Sequence, residues 1–224
     1  MYSNLTTSII YFCLSLGAAT LSLAEMSLPA IFGNHMVLQR QQINPVWGRA
    51  AAGQVITVRI NGQQMTAATD IDGRWKLNLK PMPAGGPYTL EVSGQQTVRF
   101  TDVMVGEVWL CSGQSNMQWP LAQSDGADLE VFTATSSQLR MISIPEVGTQ
   151  QAQEDFKGQW QLSDAEVAAS FSAVGYHFGQ RLQRALGVTV GLIDNAWGGS
   201  AVEAWIPREV LDNHPRYRNF LKDW

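Results

Sequence analysis

A short run of small, hydroxyl and amide side chains is the first place in this sequence where covalent chemistry could occur. It reads Ser-Gly-Gln-Ser-Asn-Met at residues 112–117 and directly follows the largely apolar stretch 103–111. Glycine tolerates unusual backbone angles, and serine and asparagine bond to nearby backbone groups, so the run predicts a tight turn. A serine in such a turn can attack an acyl carbon while backbone N–H groups receive the oxyanion. Ser115 is therefore the candidate nucleophile.

Two other interpretations fit the same residues. One is the α/β-hydrolase elbow, Gly-x-Ser-x-Gly, but Met117 stands where the second glycine belongs, which argues against a lipase or protease of that fold. The other is a purely structural turn with a buried serine. The stretch 103–111 predicts a buried strand, although hydrophobic periodicity alone does not separate a strand from a buried helix.

A second glycine-containing turn follows another apolar stretch. Residues 188–193 read Val-Thr-Val-Gly-Leu-Ile and contain no charged side chain, as expected for a parallel strand that is buried on both faces. Gly198 and Gly199 come shortly after it. A Gly-Gly pair lets the backbone approach a ligand closely and point its N–H groups at an anion, although a tight structural turn is the alternative.

These two blocks resemble the sialate O-acetylesterase family of SGNH/GDSL-like carbohydrate esterases. The resemblance rests on GEVWLCSGQSNMQWPL at 106–121 and VGLIDNAWGGSAVEAW at 190–205, and it extends to LPAIFGNHMVLQR at 28–40 and FSAVGYHFG at 171–179. It implies a three-layer α/β esterase that removes O-acetyl groups from carbohydrate, either sialic acids or plant or bacterial glycans. It also implies that the enzyme needs no metal and no organic cofactor.

The resemblance also implies roles for individual residues. Ser115 would attack the acetyl carbonyl to form an acetyl-enzyme, which water would then hydrolyse to acetate. The backbone N–H of Ser115 and that of Gly199, or of its neighbour Gly198, would bind the oxyanion. We assign Gln114 and Asn116, which flank the nucleophile, to substrate binding.

One part of the family's pattern is missing from these 224 residues. The resemblance calls for a downstream Asp-x-x-His block that supplies the base and the aspartate orienting it, but none of His35, His177 and His214 has an aspartate three residues before it. We therefore expect the N-terminal part of a longer esterase, which holds the nucleophile without its base. The alternative is a non-catalytic secreted glycan-binding protein, or an inactive fragment, in which the Ser115 turn is vestigial.

The elements that must position these residues divide the chain into two parts. Asn-Gly at 61–62 lies between two strand-like segments and is a strong hairpin signal, and Asp-Gly at 72–73 predicts a second turn before an alternating polar and apolar segment. Residues 25–102 therefore predict an antiparallel β-sandwich, which could bind sugar or only support the second part of the chain. Residues 103–224 predict strand, helix and strand, with helical spacing over 171–186, and so the beginning of an incomplete three-layer α/β domain.

The first 24 residues predict a targeting segment. They contain no charged side chain, and the stretch 8–23 is largely apolar. Small residues at positions 22 and 24 indicate a signal peptide cleaved before Glu25, and hence a secreted or periplasmic protein. A membrane anchor is the alternative, but the stretch is short for a span of about 20 residues, so stable membrane insertion is not expected. Cys111 would then be the one cysteine left, which excludes an intrachain disulfide.

Composition narrows the possible partners. Hydrophobic residues make up 45% of the sequence and charged residues 15%, which indicates a packed core rather than disorder. The formal net charge is −4 without a basic run, so nucleic acid is not an expected partner. The eight tryptophans could fill the core or, in part, form sugar-stacking surfaces. The resemblance implies an O-acetylated carbohydrate as the partner.

Overall fold

The structure is a computed structural model of the chain that describes residues 25–149 and 151–217. The predicted signal peptide, residues 1–24, lies outside the described residues. Among the helices that are described, none combines the length and the apolar character needed to cross a membrane.

Within the described ranges the chain forms ten strands and five α-helices, with two short 3-10 turns at Leu121–Gln123 and Val202–Trp205. The strands are β1 (Val37–Gln39), β2 (Asn44–Arg49), β3 (Val55–Ile60), β4 (Gln63–Ala68), β5 (Arg74–Leu79), β6 (Gly85–Ser93), β7 (Thr97–Gly113), β8 (Ser136–Ser143), β9 (Gln161–Ser163) and β10 (Val190–Ala196). The helices are α1 (Ser115–Gln118), α2 (Ala127–Phe132), α3 (Ala165–Ser170), α4 (Ala173–Leu186) and α5 (Arg208–Asn213).

Most of the strands belong to one mixed sheet. Its order is β4-β3-β6-β7-β10-β8-β9, with β1 also pairing with β7. The pairs from β4 to β7 are antiparallel, whereas β10 runs parallel to both β7 and β8. Parallel neighbours need a crossover connection, and α3 and α4 supply it between β8 and β10. β2 and β5 form a separate antiparallel ribbon.

A single strand joins the two parts of the sheet. β7 pairs with β6 through its first residues and with β10 through Glu107–Gly113. The predicted boundary at residue 102 therefore falls inside a continuous strand, because no Gly, Pro or Asn-Gly turn interrupts the sequence there. Asp102 has a positive φ of 53°, which marks a local distortion rather than a chain reversal. The structure supports the coarser description, a mixed sheet with helices; it does not confirm a self-contained sandwich over 25–102 or a truncated domain over 103–224.

Two buried clusters hold these elements together. The larger one contains Val46 and Leu79 of the ribbon together with Ile56 and Leu90 of the main sheet, so the ribbon packs its apolar face against that sheet. The other lies under α4 and joins it to β8 and β10; it includes Leu121, Leu139, Phe171, Tyr176 and Leu192. Full burial of one such side chain contributes about 1.5–3 kcal/mol.

The predicted helix over 171–186 is confirmed over most of its length. It begins at Ala173, because the Ser172 hydroxyl accepts from the Gly175 N–H at 3.0 Å and caps the first turn. It ends at Leu186 and is followed by Gly187, whose φ of 64° forms a left-handed C-cap. Residues 165–170 form a separate helix, capped by Asp164, which accepts from the Val167 N–H at 2.8 Å.

A buried arginine fastens β8 to the distorted part of β7. The Arg140 side chain is 2% exposed and donates to the His35 carbonyl at 3.0 Å, to the Asp102 carbonyl and to Asp102 Oδ1 at 3.0 Å. His35 Nδ1 lies 2.6 Å from the other Asp102 oxygen. Burial pushes the pKa of Asp102 upward, but hydrogen bonds from His35 and Arg140 outweigh it, so this pKa lies below its usual value. The carboxylate is therefore held ionised in this cluster.

Candidate active site

Ser115 lies where β7 ends and α1 begins. Gly113 is the last residue of the strand and has a φ of 151°, a conformation that favours glycine over residues with a side chain. Gln114 is the N-cap, and its carbonyl accepts from the Met117 N–H at 2.9 Å and the Gln118 N–H at 3.0 Å. The chain therefore turns sharply at the predicted position, and it leaves Ser115 exposed on the first turn of a four-residue helix.

The parallel pairing of β7 and β10 brings the two predicted blocks together. Ala196 is paired with Gly113, so both strands end at the same edge, where ligands of such sheets bind. The Trp197 N–H donates to the Gly113 carbonyl at 3.0 Å and continues the pairing by one residue. A Cβ atom on Gly198 would lie 3.4 Å from the Cα and Cβ of Ser115. The glycine turn therefore lies beside the candidate nucleophile, close enough that a side chain at position 198 would touch Ser115.

A glutamine on α1 clamps this turn. Gln118 Oε1 accepts from the Gly198 N–H at 2.7 Å, and Gln118 Nε2 donates to Glu146 Oε1. The Gly198 N–H is therefore already engaged. The Gly199 N–H has no protein acceptor among the described residues, and the φ of Gly199 is 76°. Of the two predicted oxyanion donors, Gly199 is the one whose N–H is available.

The two residues assigned to substrate binding differ in their contacts. Gln114 Nε2 donates to the Ser200 carbonyl, which ties the nucleophile turn to the glycine turn a second time. Asn116 is exposed, and its side-chain amide makes no hydrogen bond within the part of the chain that the structure describes. The Asn116 amide is therefore free to contact a ligand, whereas Gln114 offers only its side-chain oxygen, Oε1.

None of the three histidines contacts Ser115. His35 is paired with Asp102, as described above. His177 lies on α4 with its ring centroid 5.6 Å from that of Tyr176. His214 follows α5, and its Nδ1 accepts from the Arg216 N–H at 3.3 Å. Within residues 25–149 and 151–217, no general base is hydrogen-bonded to the Ser115 hydroxyl.

A carboxyl with a buried oxygen lies next to Cys111, on the strand beside β7. Asp194 is paired with Cys111 in the β7–β10 register, and its Oδ1 is buried without a partner in the described structure. Burial is the main reason why the pKa of Asp194 is raised to about 6. A backbone hydrogen bond from Ala196 lowers this pKa in part, and the charge of Glu146 raises it further. Burial and Asp194 likewise raise the pKa of Cys111 to about 11. The thiol is therefore protonated at neutral pH and is not a competing nucleophile.

An exposed tryptophan follows each of the two turns in the sequence. Trp205 Nε1 donates to Ser200 Oγ at 2.8 Å and holds the indole beside the turn, with 39% of the residue exposed. Trp119 follows α1 directly and is 51% exposed. Exposed indole faces next to a polar centre can bind the apolar face of a sugar ring. In the described part of the chain, no cluster of three or more His, Cys, Asp or Glu side chains could hold a metal ion.

Sequence reasoning singled out Ser115 and the glycine pair, and it did not name Gln118 or Glu146. Gln118 stands inside the same motif, three residues after the nucleophile, so its position on the next turn of helix was the available signal. Glu146 lies in a polar stretch with no motif. Its proximity to α1 depends on the path of the chain after β8 and is not encoded locally.

Comparisons with known proteins identify the family of the chain. The family model described as carbohydrate esterase, sialic acid-specific acetylesterase, matches residues 105–224. The chain is similar to the sialate O-acetylesterase of Homo sapiens, with 37% identity over 195 residues that cover 77% of this chain and 37% of the human protein. It is similar to that of Rattus norvegicus, with 35% identity over 201 residues that cover 80% of this chain and 37% of the rat protein.

A solved structure has a similar fold. A carbohydrate acetylesterase from Xanthomonas citri superposes with a TM-score of 0.80 at 38% sequence identity, over 85% of this chain and 44% of that chain. The chain thus spans less than half the length of the relatives it matches: 37% of the human and rat proteins and 44% of the Xanthomonas chain.

Proposed function

This chain belongs to the sialate O-acetylesterase family of carbohydrate esterases, and we propose that it carries the nucleophile part of an enzyme that removes O-acetyl groups from carbohydrate. The observation that carries the proposal is the position of Ser115 beside the turn at Gly198 and Gly199, at one edge of the parallel strands. The substrate class is an O-acetylated carbohydrate, either a sialic acid or a plant or bacterial glycan.

The proposed reaction is acyl transfer in two steps. The Ser115 oxygen attacks the acetyl carbon, the bond to the sugar oxygen breaks, and the sugar leaves as a free hydroxyl after taking up a proton. Water then attacks the acetyl-serine, releases acetate and restores the hydroxyl. The backbone N–H groups of Ser115 and Gly199 would stabilise the oxyanion of both tetrahedral intermediates, a type of interaction that contributes about 3–4 kcal/mol per donor.

The proton acceptor is proposed to come from polypeptide that is not among these 224 residues. The family pattern places it in an Asp-x-x-His block, and none of the three histidines of this chain fits that pattern or contacts Ser115. A serine hydroxyl without a base is a weak nucleophile. We therefore expect this chain to hold an assembled but slow site.

Substrate binding is proposed for the residues around the turn. The free side-chain amide of Asn116 can hydrogen-bond to sugar hydroxyls or to the acetyl group. The side-chain oxygen of Gln114 can accept from sugar hydroxyls. Trp119 and Trp205 can stack on the ring. These groups are uncharged, so the site itself is compatible with neutral and acidic sugars.

The test is labelling of the purified chain with a fluorophosphonate probe, with and without added imidazole. Imidazole supplies the missing base, and general-base assistance typically contributes 10²–10⁴-fold, so we expect at least about a tenfold faster reaction at Ser115. Mass spectrometry of the modified peptide identifies the site, and Ser115→Ala is the control. Equal labelling of Ser115→Ala, or labelling elsewhere in the chain, would sink the proposal.

We also propose that the chain is exported and begins at Glu25 when mature, as the predicted signal peptide implies. Expression with the native leader and N-terminal sequencing of the recovered protein checks this proposal. A mature protein that retains Met1 would contradict it.

A further inference from the structure

The outward face of the ribbon β2–β5 forms the floor of a second cleft. Side chains of β2 and β5 alternate between buried and exposed, and the outward set is Pro45, Trp47, Arg49, Arg74 and Lys76. Ser27–Pro29 and Glu154–Asp155 complete the walls. The cleft has a volume of about 770 Å³, within the range of small-molecule sites. It shares no lining residue with the turns around Ser115.

An aromatic ring is fixed in this floor. Trp47 is half-buried and packs edge-on against Phe32, with ring centroids 4.8 Å apart and an interplanar angle of 75°. The neighbouring wall depends on Gly48, since a Cβ there would lie 2.3 Å from the Ser27 carbonyl oxygen. Ser27 and Arg49 also exchange two backbone hydrogen bonds of 2.9 Å. Both the ring and the wall beside it are therefore held in place without a ligand.

Polar groups around the ring are also fixed in advance. Glu154 accepts from Arg49 Nη2 at 2.6 Å and from Arg74 Nη2 at 2.6 Å, which holds both guanidinium groups at the rim. Their Nη1 groups have no protein acceptor among the described residues. Asp155 Oδ1 accepts from the Ala30 N–H at 2.7 Å. The cleft thus presents unused donors and carboxylate oxygens next to an indole.

The charges that line the cleft balance. Three cations face three carboxylates: Arg49, Arg74 and Lys76, and Asp70, Glu154 and Asp155. The formal sum is zero, so the cleft offers no net attraction for an acidic ligand. An indole beside fixed donors and acceptors fits a pyranose, whose C–H face is apolar and whose rim carries hydroxyl groups.

We propose that this cleft binds a neutral segment of a glycan, apart from the site of ester hydrolysis. The proposal rests on the proposed function for the class of ligand, carbohydrate. Trp47 stacks on one sugar ring, and the guanidinium groups of Arg49 and Arg74 donate to its hydroxyls. The β half of the chain then binds polysaccharide while the Ser115 turn acts on acetyl groups.

Isothermal titration calorimetry of the purified chain with three neutral tetrasaccharides, cellotetraose, xylotetraose and mannotetraose, tests the proposal. We expect at least one to bind, Trp47→Ala to weaken that binding at least tenfold, and Arg74→Ala to weaken it at least threefold. Arg74 is 55% exposed, so its variant keeps the assay informative if Trp47→Ala unfolds. Phe132→Ala removes an aromatic residue that is 83% exposed outside the cleft and should bind like the wild type.

Ser115→Ala separates the two proposals, because it abolishes fluorophosphonate labelling and should leave tetrasaccharide binding unchanged. Loss of tetrasaccharide binding in Ser115→Ala would assign the binding to the Ser115 site and overturn the cleft. The proposed cleft would also be overturned if none of the three tetrasaccharides binds, or if both Trp47→Ala and Arg74→Ala bind as tightly as the wild type. Tighter binding of sialyllactose than of any neutral tetrasaccharide would also contradict the neutral ligand inferred from the charge balance.

Discussion

At the scale of single residues, the site depends on side chains that do no chemistry themselves. Gln118 connects α1 to the glycine turn and to Glu146, and so it occupies the Gly198 N–H and leaves the Gly199 N–H as the donor without a protein acceptor in the described structure. Asp194, near the end of β10, has a buried, unpartnered oxygen. Gln118 holds the turn through the Gly198 N–H, whereas Asp194 bears on the stability of the strands that carry the site.

Replacing Gln118 should slow the reaction at Ser115 without unfolding the chain. Gln118→Ala removes the acceptor of the Gly198 N–H, and a small displacement of a positioned group can lower a rate by up to about 100-fold. We expect at least about a tenfold loss in the rate of fluorophosphonate labelling in the presence of imidazole.

The matched controls for that variant come from the same segment. Gln123→Ala removes an exposed glutamine side chain and should label normally. Gln118→Glu keeps an acceptor but places a carboxylate beside Glu146, so it should label slowly, and adding Glu146→Gln should restore the rate. Fast labelling of Gln118→Glu alone would show that the contact with Glu146 has no role.

Asp194 should make stability depend on pH. Its pKa in the folded chain is about 6 against an ordinary value of 3.8, so between these values the folded state binds more protons than the unfolded state. Stability from this group is therefore greatest below about pH 4, falls as the pH rises to about 6, and stays reduced above it. After allowance for partial solvent exposure, the loss is about 1 kcal/mol.

Thermal melts of Asp194→Asn and wild type between pH 4 and pH 8 measure this effect. The difference in Tm should change in favour of Asp194→Asn as the pH rises to 6 and then level off. Asp125→Asn, a substitution at an exposed turn residue, should show no such trend. If the difference in Tm between Asp194→Asn and wild type is constant from pH 4 to pH 8, the pKa of Asp194 is not raised.

At the scale of elements, the turn after β10 contains two glycines that serve different purposes. A Cβ on Gly198 would lie 2.5 Å from Gln118 Oε1, so the side chain must move and its hydrogen bond is lost. A Cβ on Gly199 would meet nothing within 4 Å, but its φ of 76° is unfavourable for any residue with a side chain.

The two alanine variants should therefore differ in kind. Gly198→Ala should melt within a few degrees of wild type, because the end of the flexible Gln118 side chain can move away from the added Cβ. It should label slowly, because this movement breaks the hydrogen bond between Gln118 and the Gly198 N–H. Gly199→Ala should be less stable by about 1–2 kcal/mol, because a left-handed backbone is strained, yet it keeps its N–H donor. Melting temperatures and labelling rates measured on both proteins check the contrast, and the opposite pattern would contradict these roles.

How far sequence predicts the elements depends on how local their signals are. The turns predicted at Asn61-Gly62 and Asp72-Gly73 are confirmed, since the first joins β3 to β4 and the second directly precedes β5; both are strong local signals beside alternating residues. α1 and α2 were not predicted, since each is at most six residues long and has no apolar periodicity. The continuity of β7 was missed because two strand-like segments with a polar residue between them read as separate strands. Contacts such as Gln118 with Glu146 join distant parts of the chain and leave no local signal.

At the scale of the whole molecule, the cluster around Arg140 joins the β half to the parallel strands. Its guanidinium is buried and bonds to two carbonyls and a carboxylate that come from the segment before β1 and from β7. The same cluster explains why His35, a histidine paired with an aspartate, is not the missing base. That pair is engaged in holding β7 at its distortion.

Arg140→Met should be strongly destabilising. It leaves the carboxylate of Asp102 without its buried partner, and breaking such a pair typically costs 3–5 kcal/mol. Urea unfolding followed by circular dichroism measures the loss. Arg99→Met removes an ion pair whose arginine is 63% exposed and should cost no more than about 1 kcal/mol. If Arg140→Met lowers the free energy of unfolding by less than about 1 kcal/mol, the cluster does not hold the two parts together.

The continuity of β7 has a consequence for how the protein would process a polymer. A strand of 17 residues can span up to about 55 Å, and here it has no flexible linker along its length. The ribbon packs its apolar face against the sheet that contains β7. If a polysaccharide is anchored on the ribbon, this packing and the continuous β7 together hold the ribbon and the Ser115 turn at a fixed separation. The acetyl groups within reach would then lie a fixed number of sugar units from the anchor. Deacetylation would leave a regular spacing along the glycan, with β7 setting the interval.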